Sequence, residues 1–169
     1  MALREILIYG HPTLRVRSPK VENFDDNLKR VSRDMVETMH NEPGIGLAAN
    51  QINVQSQIAV IDLSVGEDPN ALLYLVNPEV VEREGSQIEE EGCLSIPGIN
   101  ATIQRPFRVT VIAQNLDGKH FKVTGEGLMA RALCHEIDHI NGILFTDYLK
   151  GINKRLIQKK LNRIASACH

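Results

Sequence analysis

Leu28, Val31, Met35 and Met39 recur every three or four positions within residues 24–40, with charged residues between them. That spacing lines the four apolar side chains along one face of an amphipathic helix. Asp25 and Asp26 suit its N-terminus, where unpaired N–H groups carry partial positive charge. Asn41-Glu42-Pro43-Gly44 ends it, and Gly44-Ile45-Gly46-Leu47-Ala48-Ala49-Asn50-Gln51 reads as a small-residue loop. Residues 57–62 and 71–76 are short apolar runs that predict buried strands, separated by turn residues from Gly66 to Asn70. Residues 80–84 and 109–113 predict further strands. Asn115-Leu116-Asp117-Gly118 predicts a hairpin turn into a strand near 121–123.

A second helix is predicted over residues 125–141. Leu128, Ala132, His135 and His139 fall along one of its faces, and Met129, Leu133, Ile137 and Ile140 along another. A helix apolar on more than one face is central and buried. Asn141-Gly142 supplies a left-handed stop. A last helix over residues 150–167 carries Leu156, Ile157, Leu161 and Ile164, opposite a basic face of Lys154, Arg155, Lys159, Lys160 and Arg163. Residues 11–24 hold two prolines and read as irregular. The pattern predicts an α+β fold: small antiparallel or mixed sheets around a central helix, with N-terminal and C-terminal helices.

Composition narrows the class. The chain has 169 residues, 43% of them hydrophobic, enough for one domain spanning 1–169. Aromatics are 4% with no Trp, so the core is aliphatic. A net charge of -2 gives no global pull toward nucleic acid or membrane. No apolar run approaches the ~20 residues of a membrane span. The Met1-Ala2-Leu3-Arg4-Glu5 start lacks the apolar core of a signal peptide. Cys93, Cys134 and Cys168 are odd in number and match no disulfide framework, which predicts free thiols and a cytoplasmic setting.

The chemistry is concentrated in His135-Glu136-Ile137-Asp138-His139. Helix residues four apart share a face, so His135 and His139 can offer two imidazole nitrogens to one metal ion. Glu136 projects beside them, within reach of a proton on water held by that ion. The pattern alone arises by chance in roughly one chain in two hundred of this length, so other residues must support it. A catalytic site takes three protein ligands and leaves a position open. The best third candidate is Cys93, within Glu91-Gly92-Cys93-Leu94-Ser95-Ile96-Pro97. It lies far upstream of the histidines, so the ligands meet only in the fold.

Three motifs now stand in order: the glycine-rich stretch from Gly44 to Gln51, Glu91-Gly92-Cys93-Leu94-Ser95, and the histidine helix. Together they resemble those of peptide deformylases, bacterial enzymes that remove the N-formyl group from nascent proteins. No motif position departs from the family pattern, and Asn50 occupies its variable place, where many relatives have proline. The length and the flanking helices fit as well, so the resemblance covers nearly the whole chain. It implies Cys93, His135 and His139 as metal ligands and Glu136 as general base and acid. It implies that Gln51 and the Leu94 backbone N–H stabilise an oxyanion. It implies Fe2+ as the physiological metal, with Zn2+, Ni2+ or Co2+ able to replace it in preparations. The implied substrates are N-formylmethionyl nascent peptides, with the basic C-terminal helix facing the ribosome. No role carries over to the arginines near Arg105.

A substrate pocket is expected from Gly44, Ile45, Gly46, Leu47 and Gly92, with Leu128 and Ala132 beside the methionine side chain. Two other readings compete. One is a metallopeptidase using the same histidine helix, against which Cys93 argues, because such enzymes take a third His or Glu. The other is a non-catalytic peptide-binding relative, which would lack Glu136, Gln51 or a ligand. Cys134 is expected to be structural and Cys168 exposed. Asp138 is expected on the helix surface or supporting a ligand, and Glu42 in solvent.

Overall fold

The computed structural model describes residues 2–167. Helix α1 (Asp26–Asn41) begins where the Asp25 carboxylate accepts the Leu28 N–H at 3.0 Å. That cap sets the start two residues later than the apolar spacing predicts. Its stripe of Leu28, Val31, Met35 and Met39 is buried as expected. Strands β1 (Gly46–Ala48), β2 (Ile58–Ile61), β3 (Leu73–Glu84), β4 (Gln87–Cys93), β5 (Ile96–Arg105), β6 (Arg108–Gln114) and β7 (His120–Glu126) follow. Helices α2 (Leu128–Ile140) and α3 (Gly151–Ser166) complete the chain.

Five strands form one sheet in the order β1-β2-β3-β6-β7, each neighbouring pair antiparallel. β4 and β5 form a separate antiparallel hairpin. Strand β2 shows how the layers stack, since all four of its residues are buried. Ala59 and Ile61 join the core under α2, with Leu133, Ile137 and Ile140. Ile58 and Val60 join the core under α1, with Met35 and Met39. Side chains alternate along a strand, so a sheet covered on both faces needs apolar residues at every position. A third core joins Ile96, Ile99 and Ile103 of β5 to Leu144, Phe145 and the α3 residue Leu161.

The sheet corrects several expectations. Residues 44–51 are not all loop: they hold β1 and the start of a 3-10 turn at Ala49–Ile52. The predicted strands 71–76 and 80–84 are one strand, β3, bent at a register shift after Val76, where Asn77 takes φ 52° before Pro78. Strands β4 and β5 have no counterpart in the apolar pattern. β4 carries Glu89, Glu90 and Glu91 in succession, and in β5 Pro97 and Gly98 interrupt the apolar positions, so neither shows clean alternation. α2 starts at Leu128, not 125, because residues 120–126 pair with β6. On α3, Leu156 is 68% exposed and Leu161 is the buried residue, with Ile157 and Ile164 packed beside it. Residues 157, 161 and 164 share a face, whereas Leu156 is one position out of phase.

Candidate active site

α2 packs its Leu133 and Ile137 face on the sheet and turns His135 and His139 toward the end of β4, where Cys93 lies. Cys93 Sγ is 3.2 Å from His139 Nε2, which is 3.2 Å from His135 Nε2. All three donor atoms lie within 4.8 Å of one another. Ligands held at ordinary metal–nitrogen and metal–sulfur distances around a tetrahedral ion stand roughly 3.3–3.6 Å apart. The set Cys93, His135 and His139 therefore fits a single metal ion with one position left open. A thiolate and two imidazoles are also a donor set that divalent transition metals favour.

The supporting residues fix the rings. His135 Nδ1 meets Glu91 Oε1 at 3.0 Å, which leaves Nε2 directed at the ligand cluster. Glu91 is held by Arg105, whose Nε donates to Oε2 at 2.8 Å and Nη2 to Oε1 at 3.0 Å. Arg105 Nη1 also donates to Asp138 Oδ2 at 2.7 Å, as does the Tyr148 hydroxyl at 2.7 Å. Burial pushes the Glu91 carboxyl up, but Arg105 and His135 outweigh it and hold the group down at about 2. Asp138 thus supports the Arg105–Glu91 pair behind the candidate ligands. Nothing in the local sequence marks Glu91 and Arg105 as a pair, because β4 and β5 bring them together only across the hairpin.

Glu136 is 4% exposed, and its Oε1 is buried without a hydrogen-bond partner among the described residues. Burial, aided by Glu91, outweighs the pull of His135 and pushes its carboxyl up to about 7. The other oxygen lies against Gly46. A Cβ there would stand 2.9 Å from Glu136 Cδ and closer still to Oε2. Gly46 is therefore a close-approach glycine that makes room for this carboxylate.

Gln51 sits in the 3-10 turn after β1. Its Oε1 accepts the Ala48 N–H at 2.9 Å, so its NH2 faces the site. Nε2 donates to Ser95 Oγ at 3.0 Å and lies 3.7 Å from Cys93 Sγ. Asn50, in the motif's variable place, donates from Nδ2 to the His139 carbonyl at 2.6 Å and ties the turn to α2. Leu94 follows Cys93 in the β4–β5 turn, and its side chain packs against Gly44.

Gln51, Glu91, Cys93, Leu94, His135 and Glu136 line a cavity of about 530 Å³. Of the expected pocket residues, Gly44, Ile45, Gly46, Gly92, Leu128 and Ala132 line it. Leu47 does not: it is fully buried in the core under α1. The alternation of β1 explains this, since Gly46 faces the cavity and Ala48 the α2 core, which turns Leu47 to the opposite face. Glu42 lies exposed at the cavity mouth. Arg131, which belongs to none of the three motifs, also lines the cavity. Cys134 is buried in the α2 core, where desolvation raises its thiol, as a structural residue would be. Cys168 lies outside the described residues.

A sequence profile described as polypeptide deformylase matches residues 3–155. A peptide deformylase from Acidobacterium capsulatum is 42% identical over 99% of this chain and 98% of its own length. One from Acetivibrio thermocellus is 50% identical over 87% of this chain and 84% of its own. The crystal structure of a peptide deformylase from Legionella pneumophila superposes with a TM-score of 0.91 at 42% identity, covering 98% of this chain and 97% of that one. The Plasmodium falciparum enzyme superposes at 0.92 with 36% identity, covering 96% and 95%. Similarity of this extent, in sequence and in fold, assigns the chain to the polypeptide deformylase family, metal-dependent hydrolases that remove the formyl group from nascent peptides.

Proposed function

We propose that Cys93, His135 and His139 hold one divalent cation and that Glu136 carries the proton in deformylation of formylmethionyl peptides. The observation that supports this most directly is the convergence of the three donor atoms within 4.8 Å beside a buried carboxylate. When bound, the cation supplies Lewis-acid polarisation and makes water nucleophilic near neutral pH. Glu136 accepts a proton from the attacking water and returns it to the leaving amine. Attack on the formyl carbon places negative charge on its oxygen. The Gln51 amide, oriented by Ala48 and Ser95, and the Leu94 backbone N–H are the donors we assign to that charge.

Selectivity follows from the walls. Formyl carries only hydrogen on its carbonyl carbon, and Gly44, Gly46 and Gly92 bring backbone close to where it would sit. The methionine side chain goes to Ile45, Leu128 and Ala132, with the peptide extended along a strand edge. Fe2+ is the ion we assign as physiological, with Zn2+, Ni2+ or Co2+ replacing it in air. Residues 1–169 work as one catalytic domain in the cytoplasm. The basic residues of α3, Arg155, Lys159, Lys160 and Arg163, form a face for ribosomal phosphate. Charge reversal at Lys159 and Lys160 weakens ribosome co-sedimentation at low salt; unchanged co-sedimentation across a salt series removes that role.

The test of the reaction is formate release. The chain deformylates formyl-Met peptides rapidly and leaves acetyl-Met peptides nearly untouched. Comparable turnover of both, or cleavage inside a long unformylated peptide, refutes the reading.

A further inference from the structure

Arg131 places a guanidinium in the wall of the cavity that Ile45, Leu128 and Ala132 also line, with Glu90 and Glu91 beside it. Its side chain is 11% exposed. Of its five N–H donors, one is used among the described residues: Nη2 donates to the Glu90 carbonyl. Nε stands 3.7 Å from Glu91 Oε2, an ion-pair contact too long for a hydrogen bond, and is buried without a hydrogen-bond partner among the described residues. Glu91 is already committed to Arg105 and His135. Arg131 is therefore a permanent cation with donors to spare, beside the place a substrate side chain occupies.

A methionine thioether makes poor use of such a donor, because its sulfur is a weak acceptor. Covering a guanidinium with an apolar side chain costs desolvation and returns no hydrogen bond. A side chain of the same length ending in a strong acceptor reverses that balance. Methionine sulfoxide is one: it keeps the methionine skeleton and adds a polar oxygen, and it arises by oxidation of the normal first residue.

We propose that Arg131 is a specificity-determining residue that lets this site accept N-formyl peptides whose first side chain ends in a hydrogen-bond acceptor, methionine sulfoxide in particular. The proposal rests on the deformylase reading above and assigns a second substrate class to the same pocket. A hydrogen bond to a charged group is worth about one to two powers of ten in binding, which sets the scale of the effect.

The experiment compares kcat/KM for formyl-Met and formyl-Met-sulfoxide tripeptides in the wild-type metalloenzyme, in Arg131→Leu and in Arg131→Lys. The wild type turns over the sulfoxide peptide within about 10-fold of formyl-Met. Arg131→Leu lowers the sulfoxide-to-methionine ratio by about 10-fold or more, and Arg131→Lys, which keeps a charged donor, lowers it less. Formyl-Met turnover in each preparation reports that the site is assembled, and Arg131→Met, which removes the donor but keeps a long unbranched side chain, serves if leucine disrupts folding. The proposal is overturned if the wild type hydrolyses formyl-Met but rejects the sulfoxide by more than about 100-fold, or if the ratio in an assembled variant that removes the donor, Arg131→Leu or Arg131→Met, equals that of the wild type. Failure of the wild type on formyl-Met itself refutes the underlying deformylase reading instead.

Discussion

Gly46→Ala is the smallest change that strikes Glu136, the proposed proton carrier, without touching it chemically. Gly46 does not have positive φ, so alanine meets no backbone strain there. The obstacle is space: the added Cβ would stand 2.9 Å from Glu136 Cδ and 3.1 Å from Cγ. Ordinary carbon contacts need roughly 3.5–4.0 Å, so the carboxylate must retreat by about 0.5–1 Å. α2 cannot simply withdraw, since Ala132, Leu133 and Ile137 on either side of Glu136 are buried. Overpacking of this kind costs about 1–3 kcal/mol of stability. Displacement of a catalytic group by about 1 Å costs on the order of 10²-fold in rate. The three atoms nearest that Cβ all belong to Glu136, so the proposed ligands Cys93, His135 and His139 are left in place and metal content is expected to stay at one per chain. The assay is formate release with metal content measured on the same sample, alongside a thermal melt. Activity within about threefold of wild type would refute the placement of Glu136 against Gly46.

Other expected outcomes follow from neighbouring groups. Cys93→Ser replaces a soft anionic ligand with a neutral hydroxyl, so metal binding weakens; full metal content and activity after dialysis would remove Cys93 from the ligand set. Glu91→Gln takes from buried Arg105 one of its two charged partners, leaving Asp138, and loosens His135, so metal affinity falls about 10–100-fold and the melting temperature drops; unchanged metal titration would contradict the positioning role. Asp34 is buried, which raises its carboxyl, but hydrogen bonds from the Ala2 N–H and Arg4 outweigh that and lower it overall. A folded-state value below the unfolded one gives stability that is present above the unfolded value near 3.8 and is lost as pH falls through the folded one. Urea midpoints should therefore drop less steeply below about pH 4 in Asp34→Asn than in wild type, and equal slopes would exclude the contribution.

Much of the site is legible in the chain because its chemistry is written in short local strings. His135 and His139 are one helical turn apart, and a single amphipathic pattern places both. Gly92, directly before Cys93, marks a close backbone approach within the motif itself. What stays hidden depends on pairing across distance. Glu91 and Arg105 lie on the two arms of a hairpin whose strands carry three successive glutamates on one side and Pro97-Gly98 on the other, so neither strand announces itself. Leu47 sits inside the glycine-rich motif, which suggests a place in the pocket wall. A loop would allow that, but β1 imposes alternation and turns the side chain into the core. Arg131 sits on the same helix as the ligands, yet its significance depends on which of its donors remain unused, and a linear string does not show that.

Glu136 is proposed to carry the proton beside a metal centre built from Cys93, His135 and His139. Glu136→Gln tests that role most directly, because the substitution keeps size and shape and removes only the base. Formate release from a formyl-Met peptide is measured for wild type and Glu136→Gln at equal, directly determined metal content. Full metal occupancy is expected, with turnover lower by about 10²-fold or more. Near-wild-type turnover with the metal in place would contradict that role.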